Sequence, residues 1–155
     1  MRVWRVCHRA HAAFDGAGAR RFGGRWNERG TLLVYTSGEP ALAVLEYFVN
    51  LEIEDAPRDL VIVSADIPDS VEVATVDPAE LPRAWRSTPA PASLAKRGTD
   101  WARSARTAVL AVPSAVVPIQ RNYLLNPLHP AFGSIAVKRP DPLSLDPRMW
   151  RRRPR

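Results

Sequence analysis

Apolar and polar positions along this chain change period several times, and each change marks an element. Val3–Cys7 opens as a short strand and gives way to a loop of small residues over Ala10–Gly18. Arg20–Asn27 follows as a glycine-hinged basic loop, too polar to be core. Thr31–Thr36 is β-branched and aromatic, which predicts a strand. Ser37-Gly38-Glu39 then turns the chain, and Pro40 suits the first turn of a helix. Ala41–Leu51 is apolar on almost every side, which predicts a helix buried within the fold.

Further on, Asp59–Ile67 and Val71–Val76 predict two strands around the turn Pro68-Asp69-Ser70. Over 77–98, Pro78, Pro82, Pro89 and Pro91 forbid a long helix and leave a surface excursion, with room for a short helix around Trp85. Thr99-Asp100 can cap a short helix through about Arg106. Val109–Val112 predicts a strand with Pro113-Ser114 as its exit, and Val116–Ile119 another extended piece. Gln120–Pro130 predicts a polar loop anchored by Tyr123, Leu124 and Leu125, and Ser134–Lys138 a late strand. Strands first and last around one early helix, with no repeat and no second core, predict a single compact α+β domain.

Composition changes this picture little. The 155 residues suffice for one core, and 46% apolar content is ordinary for a globular chain. Fifteen prolines against eight glycines fit short strands and rigid turns better than a helical bundle. No apolar run approaches the ~18 residues that span a bilayer, and Met1–Arg5 does not read as a secretory signal. The single cysteine, Cys7, excludes an internal disulfide and fits a reducing, cytoplasmic setting. The net charge of +6 belongs to one end: residues 148–155 hold five arginines, and without them 17 basic residues face 16 acidic ones. That tail either meets an acidic partner or nucleic acid, or is a solvated terminus.

Glu46 is the only charge between Pro40 and Leu51. A carboxylate in an apolar helix either serves a site or lies on a narrow wet stripe beside Asn50. In Gly23-Gly24-Arg25-Trp26-Asn27 the glycines allow close backbone approach, Arg25 can fork onto a phosphate, and Trp26 offers a flat face. Asn27 can close the turn or contact a ligand, and a tight hairpin explains the glycines equally well. Tyr35 suits core packing or a heteroaromatic ring, and Ser114 a turn cap or a site group. His8, His11 and His129 lack metal-ligand spacing, so no metal site is expected. No GxGxxG or GxxxxGK[ST] loop is present.

Phe22–Asn27, Leu33–Ser37 and Ala41–Glu46, in that order, resemble the RES-domain family, the toxins of bacterial toxin–antitoxin pairs. Val112–Pro118, Asn122–Pro127 and His129-Pro130 resemble that family's C-terminal half, so the likeness covers residues 2–140. The resemblance implies a domain over 1–147 with an ADP-ribosyltransferase-like split β-sheet and short helices, followed by the basic tail 148–155. It assigns catalytic parts to Arg25, Tyr35, Glu46 and Ser114, and substrate binding to Arg5, Trp26, Asn27 and Asn122. Relatives often carry an aromatic residue after the first arginine, where this chain has Val6.

The activity implied is cleavage of the nicotinamide–ribose bond of NAD by water or phosphate, depleting the cell of NAD. NAD is then substrate, and no cofactor is expected. ADP-ribosylation of a protein target is the alternative; a non-catalytic nucleic-acid-binding module using the tail is a second. The resemblance also implies a cognate antitoxin of the Xre, MbcA or ParS-like kind that occludes the site. Neither a membrane nor nucleic acid is an expected direct partner.

Overall fold

The computed structural model describes residues 1–51 and 58–149. Eight strands form one sheet: β1 (Arg2–His8), β2 (Val34–Ser37), β3 (Leu60–Asp66), β4 (Val73–Thr75), β5 (Val109–Pro113), β6 (Arg121–Leu125), β7 (Ala136–Val137) and β8 (Asp141–Pro142). Three α-helices accompany them: α1 (Ala17–Phe22), α2 (Pro40–Phe48) and α3 (Ala92–Ser104). The sheet order is β4-β5-β6-β2-β1-β3-β7, with β8 also on β3. Among the described residues only β4 and β5 run parallel. The fold is α+β, as the pattern of elements predicts.

The join between β1 and β2 is the feature that positions the site. β1 pairs with β3 over seven positions, from Arg2 opposite Asp66 to His8 opposite Leu60. β2 pairs with β6 over four and β5 with β6 over five. Between β1 and β2 the register is a single pair, Trp4 opposite Ser37. The sheet therefore narrows to a waist and splits, leaving the two strands apart over Arg5–Val6 and Tyr35–Thr36.

Both faces of the sheet are covered, which explains the continuous apolar runs of its inner strands. All five residues of β5 are buried. Val109, Leu125, Val34, Val3 and Val63 pack on one face with Phe14 and Ile135. Leu110, Val112 and Leu124 pack on the other with Leu94 of α3 and Trp26. A third cluster, Val6, Ala43, Leu60 and Leu145, lies under α2. Each such side chain, fully buried, contributes about 1.5–3 kcal/mol. Among the described residues no helix is long and apolar enough to cross a membrane.

Several elements differ from the sequence pattern. Gln120–Pro130 is loop only after Leu125: β6 occupies its first half and lies centrally in the sheet, with Asn122 and Leu124 on one face and Tyr123 and Leu125 on the other. Polar Arg121 and Asn122 hid the alternation: Arg121 is exposed at the strand's start, and Asn122 lines the cleft rather than the core. The run 71–76 contributes only β4, which leaves β3 and pairs with β5 instead. Val116–Ile119 is a turn, closed by Gln120 N–H donating to Val117 O. Strand β2 starts at Val34 rather than Thr31.

The helices shift as well. α3 begins directly after Pro91, so Thr99 is no cap: it lies mid-helix, buried, its hydroxyl accepting the Glu28 N–H at 2.9 Å. Gly98 lets this helix reach the 25–28 loop, since a Cβ there would lie 1.9 Å from Trp26 O. Helix α1 and a 3-10 turn over Arg9–His11 occupy parts of what reads as loop. α2 starts at Pro40 as expected, yet it is only half-buried: Leu42 and Ala43 are inside, while Leu45 and Val49 are exposed. Of the basic tail, Arg148 and Met149 end a 3-10 turn over Pro147–Met149, and residues 150–155 lie outside the described residues.

Candidate active site

A cleft of about 380 Å³ opens where β1 and β2 part, beneath α2. Trp4, Arg5, Tyr35, Glu46, Tyr47 and Asn122 are among its walls. Glu46 comes from the inward side of α2, and Asn122 from β6 opposite Ser37. Ser114 leaves the end of β5 and is fully buried.

These three polar residues form one network. Ser114 Oγ donates to Glu46 Oε1 at 2.6 Å, and Asn122 Nδ2 donates to the same oxygen at 2.5 Å. Ser37 Oγ donates to Asn122 Oδ1 at 2.8 Å, fixing the orientation of the amide. Ser114 Oγ in turn accepts from the Val116 and Val117 amides at 3.1 and 2.9 Å. The hydroxyl thus makes three hydrogen bonds, its full capacity. Glu46 lines the cleft, and Oε2 takes no hydrogen bond from the described residues, so one carboxylate oxygen is anchored and the other is not. Asn50, on the stripe with Glu46, donates to its backbone carbonyl rather than to its carboxylate.

Tyr35 contributes its ring to the cleft wall while its hydroxyl is engaged behind. The hydroxyl accepts from Trp26 N–H at 3.0 Å and donates to Asn27 Oδ1 at 2.7 Å. Burial pushes the phenol well above the usual tyrosine range, against the smaller opposing effects of the Trp26 hydrogen bond and the Arg25 charge. Gly24 makes room for this arrangement, because a Cβ there would lie 2.7 Å from the Tyr35 oxygen. Tyr47 is also pushed up, first by burial and then by Cys7.

The expected contacts from Trp26 and Asn27 do not reach the cleft. Trp26 is 2% exposed and packs with Leu33 and Leu94, because the loop folds inward under α3. Asn27 is 1% exposed, and its amide donates to the carbonyls of Ala19, Glu28 and Thr31. Both therefore shape the Arg25 loop and hold Tyr35 rather than touch a ligand. The reading of this loop as too polar for the core is corrected accordingly.

The two arginines differ in setting. Arg5 lines the cleft and has no hydrogen-bond or ion-pair partner among the described residues. Arg25 donates to Trp85 O at 2.6 Å and Ser87 O at 3.2 Å, with no carboxylate partner among the described residues. The 77–98 excursion, to which the sequence assigns no role, thus touches a candidate catalytic residue. Trp4, Ser37 and Tyr47 also belong to the site without being candidates in the sequence. The available signal was adjacency, since Trp4 precedes Arg5 and Tyr47 follows Glu46.

A family model described as the RES domain matches residues 2–146. The chain belongs to the RES-domain toxin family. This RES-domain chain is similar, at 41% identity over 96% of either sequence, to the Prs ADP-ribosylating toxin of Sphingobium sp. (strain YBL2). It is 34% identical to Toxin Res of Yersinia enterocolitica over 96% of this chain and 99% of the relative. A Toxin Res of Pseudomonas putida is 36% identical over 89% of this chain and 92% of that one. Its fold resembles that in the MbcT–MbcA toxin–antitoxin complex of M. tuberculosis, with a TM-score of 0.72 and 19% identity. That match covers 92% of this chain and 84% of the other.

Proposed function

We propose that this RES-domain toxin cleaves the nicotinamide–ribose bond of NAD, with water or phosphate as acceptor, and so depletes a cell of NAD. The supporting observation is the Glu46 carboxylate, anchored through Oε1 alone by Ser114 and Asn122 in the wall of a cleft that Arg5 also lines. Breaking this bond develops positive charge on the ribose, much as glycoside cleavage does. A carboxylate already oriented toward that charge stabilises the transition state more than the ground state. Oε2 would hold a ribose hydroxyl beside the reacting carbon. The Tyr35 ring offers a face to nicotinamide, and its protonated, engaged hydroxyl takes no part in proton transfer. Arg5 and Arg25 would meet the pyrophosphate.

A second reading passes the ADP-ribose to a protein side chain. The 41% identical relative favours it, since that protein is called an ADP-ribosylating toxin. Both readings share the bond broken and the residues above. A cognate antitoxin that covers the cleft would restrain either activity, and the fold's likeness to a toxin that is solved with its antitoxin supports such a partner.

The test incubates the purified chain with NAD, with and without phosphate, beside Glu46→Gln and Arg25→Ala. The expected result is release of nicotinamide by the wild type, its loss in Glu46→Gln, and its loss at sub-saturating NAD in Arg25→Ala through a raised KM. Loss of one hydrogen-bonded carboxylate at such a site should cost about 10²–10³ in kcat. Equal turnover by Glu46→Gln would overturn the assignment. Intact-mass shifts on added proteins distinguish transfer from hydrolysis or phosphorolysis.

A further inference from the structure

Residues 82–89 contact the Arg25 loop on one side and the loop after Ser114 on the other. They form a compact turn in which Trp85 N–H donates to Pro82 O and Ser87 N–H to Ala84 O. The Trp85 ring packs against the cluster that contains Trp26, Leu94 and Leu110, which seats the turn on the fold. Its carbonyls at Trp85 and Ser87 accept both hydrogen bonds from Arg25. Between them, Arg86 Nε donates to Ala115 O at 3.0 Å. Ala115 directly follows Ser114, and the next two amides hold the Ser114 hydroxyl that meets Glu46. One short turn therefore links the Arg25 loop to the Ser114 loop.

The chemistry of the Arg25 contacts matters. A carboxylate partner would fix Arg25 and cancel its charge. Two carbonyl oxygens fix the planar fork but leave the charge available to an anion. The direction of Arg25 then depends on where these carbonyls sit, and that depends on what holds the turn. Trp85 anchors it to the core, and Arg86 ties it to Ala115.

We propose that Arg86 is a positioning residue of this site: by pinning the 82–89 turn to Ala115, it holds the carbonyls of Trp85 and Ser87 that aim Arg25. The kinetic part rests on the reading of Arg25 as the cation for the NAD pyrophosphate. Contact with a part of the substrate that does not react is made equally in the ground and transition states, so its loss raises KM and spares kcat.

The experiment compares wild type, Arg86→Ala and Arg86→Lys in the full chain. Amide hydrogen exchange is followed at Trp85, Ser87, Val116 and Val117 without ligand, and NAD cleavage is measured by nicotinamide release. Loss of one hydrogen bond predicts exchange in Arg86→Ala faster by about three- to tenfold at these amides, and KM higher by a similar factor, with kcat within about twofold. Lysine can still donate to Ala115 O, so Arg86→Lys should restore most of both effects. Unchanged exchange in Arg86→Ala overturns the proposal, as does a fall in kcat at constant KM. A wild type that releases no nicotinamide would overturn the NAD reading, and the exchange rates would still decide the tether.

Discussion

Ser114 Oγ donates a 2.6 Å hydrogen bond to Glu46 Oε1 across 68 positions of sequence. The same hydroxyl oxygen accepts from the amides of Val116 and Val117, so the strand exit, the following turn and α2 share one hydroxyl. Its two acceptor sites are filled by N–H groups, which leaves its hydrogen directed at the carboxylate. Ser114→Ala should therefore act on both stability and activity. Two amides lose their acceptor, costing about 1–3 kcal/mol, and Glu46 loses one of its two anchors. Thermal unfolding should fall by roughly 3–10 °C. Nicotinamide release should drop at least about tenfold, as expected for a loosened electrostatic group. A variant with wild-type melting and activity would contradict the shared-hydroxyl arrangement.

Tyr35→Phe removes a buried hydroxyl that serves Trp26 N–H and Asn27 Oδ1. The expected loss is about 1–3 kcal/mol, because both partners stay buried. Its pH dependence has a definite sign. The folded phenol titrates above the ordinary tyrosine value of 10.0, so the unfolded chain releases this proton first. The stabilisation is complete below that unfolded value and declines as pH rises through it toward the folded value. Urea unfolding from about pH 8 to about pH 11 should show the wild type losing stability faster than Tyr35→Phe. Parallel curves would mean that Tyr35 ionises as an exposed tyrosine does.

Gly98 lies in α3 where the helix meets Trp26, and an added Cβ would fall 1.9 Å from a backbone oxygen. Backbone cannot rotate aside, so Gly98→Ala should cost about 3 kcal/mol or more and lower the yield of folded protein. Gly18 in α1 is the control, since a Cβ added there would meet nothing within 4 Å. Gly18→Ala should stabilise by about 0.5–1 kcal/mol through helix propensity alone. Equal melting temperatures for the two variants would rule out the close approach of α3 to the Arg25 loop.

Arg5 faces the cleft without a partner among the described residues, and its charge is therefore available to a bound anion. Arg5→Ala should raise the KM for NAD about tenfold or more and change kcat much less, as removal of uniform binding does. Added salt should raise the wild-type KM more steeply than that of the variant, because screening acts on a charge the variant lacks. Steady-state rates at two ionic strengths give both readings. An unchanged KM would place the phosphates elsewhere.

The order of short local signals was legible along the chain, and so was most of what they imply. The β-branched run ending at Thr36, Pro40 at a helix start and the lone charge at Glu46 each carry their meaning within a few residues. Strands β3 and β5 were visible for the same reason, since an inner strand covered on both faces reads as a nearly continuous apolar run. Strand β6 was not. Arg121 and Asn122 look like loop residues until nonlocal pairing places them in a strand whose Asn122 lines the cleft. Thr99 looked like a cap because its buried partner, the Glu28 amide, is 71 residues away.

Arg5, Arg25, Tyr35, Glu46 and Ser114 as a candidate set, and the RES-domain family, could be read from residue identity and order. Which side chains share a hydrogen bond, and which face the cleft, was decided by the tertiary structure alone. It joined Glu46 to Ser114 and Asn122, turned Trp26 and Asn27 inward, and brought the 82–89 turn to Arg25. The physical reason is that these outcomes depend on where β1 and β2 cease to pair. A single pair, Trp4 opposite Ser37, joins them, and Ser37, Glu46, Ser114 and Asn122 beside it bond to partners remote in sequence. Local pattern encodes propensity and burial; the opening of a cleft is a property of the assembled sheet.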